Sequence, residues 1–251
     1  MIRYFIFVCM LFSVSFVVSS QNKPFFCNDK NDSFLESEVY AIIGTSTMWQ
    51  NYAEHVPSIS DINTSPGCGV GIGAKVQFEF RDFFALGTQL DFMARNNKYS
   101  MVIIDTEGKG SQNSVFVSNR SYSASVPVYA SVRFNIADNV RWNIDAGGYF
   151  SLGLGGYQKA DTYTTSINDL GQMVSTYKHY DLDYYNEQHP LIHAIDDVDF
   201  GLMFRTGLLF YDHYNVGLEA RISTKNATAD EGIIHPKMYN HLFAMKIGYQ
   251  F

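Results

Sequence analysis

The sequence predicts an all-β fold, an eight-stranded antiparallel up-and-down transmembrane β-barrel with long extracellular loops. Three observations lead there. Apolar and polar residues alternate with period two through most of the chain, the mark of strands with one oily and one polar face. The connections between these stretches alternate between short and long, as in barrels that cross a membrane. Charged residues inside the alternating stretches keep to a single parity, opposite the apolar one.

Composition and targeting agree with that fold. The chain has 251 residues, 46% hydrophobic and 16% aromatic, with 17% charged, below the roughly 25% usual for soluble domains. Its net charge is −7, and an acidic chain without a basic cluster argues against nucleic acid as partner. Residues 1–20 carry one cation, Arg3, then an apolar run from Tyr4 to Val18 that ends in Ser19 and Ser20. This is expected to be a secretory signal peptide cleaved after Ser20. The apolar run is short for a spanning helix. Residues 21–37 are expected to be a flexible periplasmic lead-in, and residues 38–251 the barrel. Cys9 leaves with the leader. Cys27 and Cys68 are expected at opposite membrane faces, too far apart for a disulfide, which needs Cα atoms within about 7 Å.

The strands follow in order. Strand one, Glu38 to Trp49, begins with five apolar residues, Val39 to Ile43, and its outward parity is not fixed by sequence. After a loop at 50–66, strand two (Gly67 to Phe80) sets Val70, Ile72, Val76, Phe78 and Phe80 against Lys75, Gln77 and Glu79. A tight turn at Arg81 and Asp82 leads to strand three, with Phe84, Leu86, Leu90 and Phe92 against Gln89, Asp91 and Arg95. A polar loop at 99–121 precedes strand four, Tyr122 to Ile136, where Val126, Val128, Val132 and Phe134 oppose Tyr129, Ser131 and Arg133. Pro127 falls inside this strand although a closed barrel has no free edge to excuse a missing N–H.

Strand five, Val140 to Gly156, sets Trp142, Ile144, Phe150 and Leu152 against Asn143, Asp145 and Tyr149. The longest insert, 157–194, is rich in Tyr, Asp and His and has no clear period. Strand six (Ile195 to Phe210) opposes Phe200, Leu202, Phe204 and Leu208 to Asp197, Asp199 and Arg205. Strand seven (Asn215 to Thr224) opposes Val216, Leu218 and Ile222 to Glu219 and Arg221. A loop at 225–238 leads to the terminal strand, Tyr239 to Phe251, whose Phe243, Met245, Ile247, Tyr249 and Phe251 oppose Lys246. Three connections are short and four long, which places both termini in the periplasm. The aromatic end, Tyr249 and Phe251, resembles the terminal signal read by the outer-membrane assembly machinery.

No Lys, Arg, Asp or Glu lies on the apolar face of strands two to eight, where a charge facing lipid costs on the order of 2 to 4 kcal/mol. Lys75, Glu79, Asp91, Arg95, Arg133, Asp145, Arg205, Glu219, Arg221 and Lys246 therefore point into the lumen. A water-soluble barrel reverses this, with an apolar interior. Phe80, Phe84, Phe134, Trp142, Phe210, Tyr214, Tyr249 and Phe251 are expected to ring the periplasmic edge, and Tyr99, Tyr122, Tyr157 and Tyr239 the outer one.

Three stretches carry a further likeness: VPVYASVRFNIADNVRWNIDAGGYFSLGLGG (Val126 to Gly156), DFGLMFRTGLLFYDHYNVGLEARIS (Asp199 to Ser223) and the terminal KIGYQF. With its Val-Pro start to strand four, glycine cluster in strand five and Asp-Phe-Gly start to strand six, the chain resembles the outer membrane protein β-barrel domain family, the porin-like or PorT-like proteins. The resemblance implies an eight-stranded outer-membrane barrel and little about activity.

An eight-stranded barrel has an interior that side chains just fill, so the lumenal acids and bases are expected to pair across it, leaving no open pore. The glycine run GCGVGIGAK (Gly67 to Lys75) lacks the ending and following helix of a phosphate loop. It reads as glycines making room in a narrow lumen. His179, His189 and His193, with Asp181, Asp183 and Glu187, offer metal-ligand chemistry. Pro190 breaks their spacing, however, and a solvated loop explains them as well. Ser125 or Ser151 with a loop histidine lacks any spacing that singles out a catalytic pair. The reading is a monomeric, non-enzymatic barrel without metal or cofactor. Its partners are outer-membrane lipid, the assembly machinery during insertion, and an unidentified extracellular or envelope partner held by the loops. A lipid-modifying enzyme and a narrow solute channel are the competing classes.

Overall fold

The computed structural model describes residues 24–27, 34–51, 59–104, 111–185, 195–228 and 237–251. The leader, parts of the four long connections (52–58, 105–110, 186–194 and 229–236), and with them His189, His193 and Glu187, lie outside them. Ten strands form one antiparallel sheet: β1 (Leu35–Gln50), β2 (Ile59–Ser65), β3 (Gly67–Arg81), β4 (Phe84–Ile104), β5 (Gln112–Ala137), β6 (Val140–Ile167), β7 (Met173–Asp183), β8 (Val198–Phe210), β9 (Tyr214–Ser223) and β10 (Met238–Gln250).

Eight of these close into a ring, β1-β3-β4-β5-β6-β8-β9-β10. The first and last strands seal it, in register from Glu38 opposite Gln250 to Gln50 opposite Met238. The other two strands extend it. β2 continues the line of β3 along the far end of β4, with Ser65 opposite Lys98 and Thr64 opposite Tyr99. β7 does the same beside β6, from Tyr157 opposite Asp183 to Ile167 opposite Met173.

The ring has the expected eight strands, while the loops expected at 50–66, 99–121 and 157–194 are corrected: β2, β7 and the extensions of β4, β5 and β6 occupy much of them. β4, β5 and β6 run 21, 26 and 28 residues, about twice the 9 to 11 needed to cross a membrane. They leave the ring as a ribbon in the order β2-β4-β5-β6-β7. The expected strand six also starts late: β8 begins at Val198, and Ile195 makes only an isolated bridge to Thr228.

The ring is oily outside. Val70, Ile72, Phe92, Val128, Phe150, Phe204, Phe243 and Ile247 all face outward and exposed. Strand one resolves here, because Glu36, Glu38, Tyr40 and Ile42 are buried while Leu35, Val39 and Ile43 are exposed. Odd positions of β1 therefore meet the surroundings. Its second apolar parity is explained by Tyr40 and Ile42, which pack inside with Met93, Leu242 and Ala244.

Pro127 is accommodated without a bulge. It faces inward and buried, the β4–β5 pairing lapses between Thr88 opposite Val128 and Asp91 opposite Ser125, and the Thr88 hydroxyl donates to the Pro127 carbonyl at 3.0 Å. Two described parts of the expected lead-in, residues 24–27 and 34–37, have defined contacts. β1 starts at Leu35, and Pro24–Cys27 lies against β5: Asn135 donates from its backbone to Phe25 (2.9 Å) and from its side chain to Pro24 (3.1 Å). Phe25 stacks on Phe134 at 5.1 Å and Phe26 on Phe83 at 4.5 Å, so the segment adds two rings to the aromatic edge at the turn end. No disulfide joins Cys27 to Cys68.

Candidate functional site

Two regions bear chemistry: the lumen of the ring and the ribbon beyond it. Alternation delivers the lumenal groups, since each strand turns every second residue inward. Glycines let the largest of them fit. Any side chain at Gly73 would strike Tyr40 and Asp91, and one at Gly87 would strike the Tyr129 ring.

From the turn end upward the lumen holds successive ion-pair tiers. Arg133 of β5 pairs with Glu36 of β1 at 2.8 Å and with Glu79 of β3. Lys75 pairs with Glu38, which also accepts from Asn215 at 2.9 Å. Arg205 pairs with Asp145 and lies over the Tyr129 ring, 5.0 Å from its centroid. In the middle, Asp91 takes Arg221 and, at 3.7 Å, Lys246. Glu219 takes the same two cations at 2.7 Å each. Tyr40 donates to Gln89 at 2.7 Å and to Asp91, and Lys246 sits 4.3 Å from the Tyr40 ring centroid.

Asp91, Asp145 and Glu219 are 0% exposed, so these charges are compensated by one another and not by bulk water, which is what a buried charge requires. Nine of the ten residues expected in the lumen enter these clusters. Arg95 stands apart at the upper end, donating to Ser123 at 3.4 Å. Sequence reasoning missed Glu36, Glu38 and Tyr40, since the parity of β1 was not fixed and Glu36 had been placed in the lead-in.

Above the polar tiers the interior changes character. Met48, Ile59, Met101, Val115, Val117, Ala160, Tyr184, Ile195, Ala227 and Met238 form one buried apolar cluster. Tyr99 packs against it and so is not part of an outer girdle. Voids along the lumen below, one of them lined by Arg95, Ser123 and Ser151, measure about 10 Å³ each, room for roughly one water.

The ribbon presents the other surface. Tyr163 and Tyr177 face each other across β6 and β7 with centroids 5.1 Å apart, and Phe116 of β5 meets Tyr163 edge-on at 6.0 Å. All three are exposed. Beside them Asp161 accepts from Tyr177 (2.7 Å) and contacts His179 Nδ1 (2.7 Å). The hydrogen bond to Asp161 raises the His179 pKa above 6.5, and the same bond lowers that of Asp161. Ser125 and Ser151 are buried in the lumen, where Ser125 receives Arg221 at 2.6 Å and Ser151 donates to the Ala124 carbonyl. His179 is 41% exposed on the hairpin, so the structure does not bring it together with either serine.

The sequence matches the model of the outer membrane protein beta-barrel domain family over residues 20–224. No curated protein matches it. Among solved structures it is similar to Ail, the attachment invasion locus protein of Yersinia pestis, in complex with the heparin analogue sucrose octasulfate (13% identity, 87% of this chain and 100% of that one, TM-score 0.39). It is likewise similar to OprG from Pseudomonas aeruginosa (10%, 89% and 98%, TM-score 0.40) and to Neisserial surface protein A (11%, 87% and 98%, TM-score 0.30). With a family match across most of its length and a closed ring that is oily outside and ionised within, this chain belongs to the outer membrane protein beta-barrel domain family.

Proposed function

We propose that the protein is a non-conducting, non-enzymatic membrane anchor that holds its ribbon outside the cell as a binding element, with both termini in the periplasm. One observation carries this reading: ion-paired side chains fill the lumen tier by tier, and an apolar cluster closes it above. Solute passage would have to break both, so activity falls to the external surface. There, among the described residues, the five-stranded ribbon offers the exposed aromatics Phe116, Tyr163 and Tyr177, and a β7 strand that pairs with β6 alone. Exposed aromatic area and free strand edges are both common means of protein recognition.

Three features support the orientation. The short turns lie at one end of the ring, and the long connections and ribbon at the other, as in outer-membrane barrels. The Phe251 amide donates to the Ser37 carbonyl at 2.9 Å, which puts both ends of the barrel segment at the turn end. The terminal aromatics also meet the description of an assembly signal, and a monomer suffices because the ring closes on itself. Binding of envelope or host extracts to intact cells, with and without residues 161–179, tests the proposal. Loss of one defined partner on excision, with the barrel still folded, is the expected result. Unchanged binding places the activity elsewhere.

A further inference from the structure

On the outside of the ring the oily band ends at one level. Along β5 the outward residues run Phe134, Val132, Ala130, Val128, Val126, Ala124 and Tyr122, and the next one is Arg120. At about 3.3 Å per residue and a tilt near 40°, Phe134 to Tyr122 spans roughly 30 Å, the thickness of a bilayer core. On β4 the outward series ends with Phe92, Ala94 and Asn96, and then Lys98. On β6 it ends with Leu154 and Tyr157, and then Lys159. The first outward charge on three successive strands is therefore a cation.

Register gathers these three. Lys98 lies opposite Ser118, Ser118 opposite Lys159, and Arg120 opposite Tyr157. With strands about 4.8 Å apart, Lys98 and Lys159 flank the Ser118 hydroxyl about 10 Å from each other, and Arg120 sits one rung nearer the oily band. Tyr157 holds two of the cations in place: Arg120 and Lys159 lie 5.7 and 5.8 Å from its ring centroid. The acidic neighbours are on the Lys159 side of the row: Asp161 follows two residues on along the same face of β6, Asp181 of β7 is 3.7 Å from Lys159, and Asp183 lies opposite Tyr157. On a chain of net charge −7, this is a local arrangement and not a general basic surface.

We infer that Lys98, Arg120 and Lys159 form a binding site for the phosphate groups of an outer-leaflet glycolipid. The level fits, because a lipid whose chains lie along Val126 and Phe150 puts its headgroup beside this row. The chemistry fits as well. Three cations spread over about 10 Å suit a headgroup bearing more than one phosphate, and Ser118 and the exposed edge of Tyr157 suit a sugar. This rests on the orientation proposed above, but not on any partner of the ribbon.

The test is native mass spectrometry of the detergent-solubilised full chain with diphosphoryl lipid A, in competition with phosphatidylglycerol and with inorganic phosphate. Wild type is expected to retain the glycolipid. Lys98→Ala/Arg120→Ala/Lys159→Ala is expected to lose affinity by about a hundredfold, from the worth of three cations at an anionic surface. Lys98→Arg/Lys159→Arg, and a variant neutralised at Lys178 and Lys225, should bind as wild type does. Heat-dependent gel migration confirms folding in each case, and Arg120→Gln alone, with a smaller loss, serves if the triple variant does not fold. Equal retention by the folded variants overturns the inference. Displacement by phosphatidylglycerol or free phosphate at matching concentration overturns the glycolipid assignment.

Discussion

Asp91 of β4 and Lys246 of β10 meet across the lumen at 3.7 Å, although β3 and β1 separate their strands in the ring. Asp91 also holds Arg221 of β9, so one carboxylate ties together strands far apart in the chain. Asp91→Ala leaves two cations facing a single remaining acid, Glu219. Breaking a buried pair in this way costs about 3 to 5 kcal/mol, and denaturant unfolding in detergent is expected to show a loss of that size. A loss under 1 kcal/mol would mean that water already screens the site.

The hairpin should respond to pH through His179. Its pKa is raised by the hydrogen bond to Asp161, so the contact is fully formed below 6.5 and is lost as pH rises through the higher folded value. An NMR titration of His179 is expected to show a midpoint above 6.5 that falls back in Asp161→Asn. An unchanged midpoint in that variant would remove the contact from the account.

Replacing Tyr163 or Tyr177 by alanine should leave the barrel's stability within about 0.5 kcal/mol, as for surface changes remote from the core. Partner binding on intact cells should fall. A matching loss of stability would make the aromatic row a structural element.

Deleting Phe251 should lower the fraction of protein assembled in the outer membrane of living cells, while refolding into detergent micelles in vitro stays within about twofold. Phe251 contributes an edge contact to Tyr249 at 5.2 Å and one backbone hydrogen bond to Ser37, too little to decide folding. Equal losses in both settings would assign it a structural role.

The ring was legible in the sequence because lipid outside and ions inside impose opposite demands on neighbouring residues. Val126 against Ser125 and Leu218 against Glu219 leave little choice of face. The ribbon was not legible, for a reason visible in β5. Beyond the oily band the exterior is water, and the interior becomes the apolar cluster of Val115 and Val117, so polarity changes sides within one strand. Outward Ser114, Ser118 and Arg120 then read as a polar loop. The β6–β7 hairpin has few buried residues beyond its base, so no period marks it. Glu36 and Tyr40 escaped because Val39 to Ile43 are apolar on both parities, one set meeting lipid and the other, Tyr40 and Ile42, packing inside at the middle ionic tier and just above it.

Single-channel recording of the reconstituted protein bears most directly on a lumen closed by its own charges. Wild type is expected to give no steady conductance, and Asp91→Ala/Glu219→Ala brief, irregular openings as the middle tiers loosen. Steady, large openings of the wild-type protein would contradict a sealed interior.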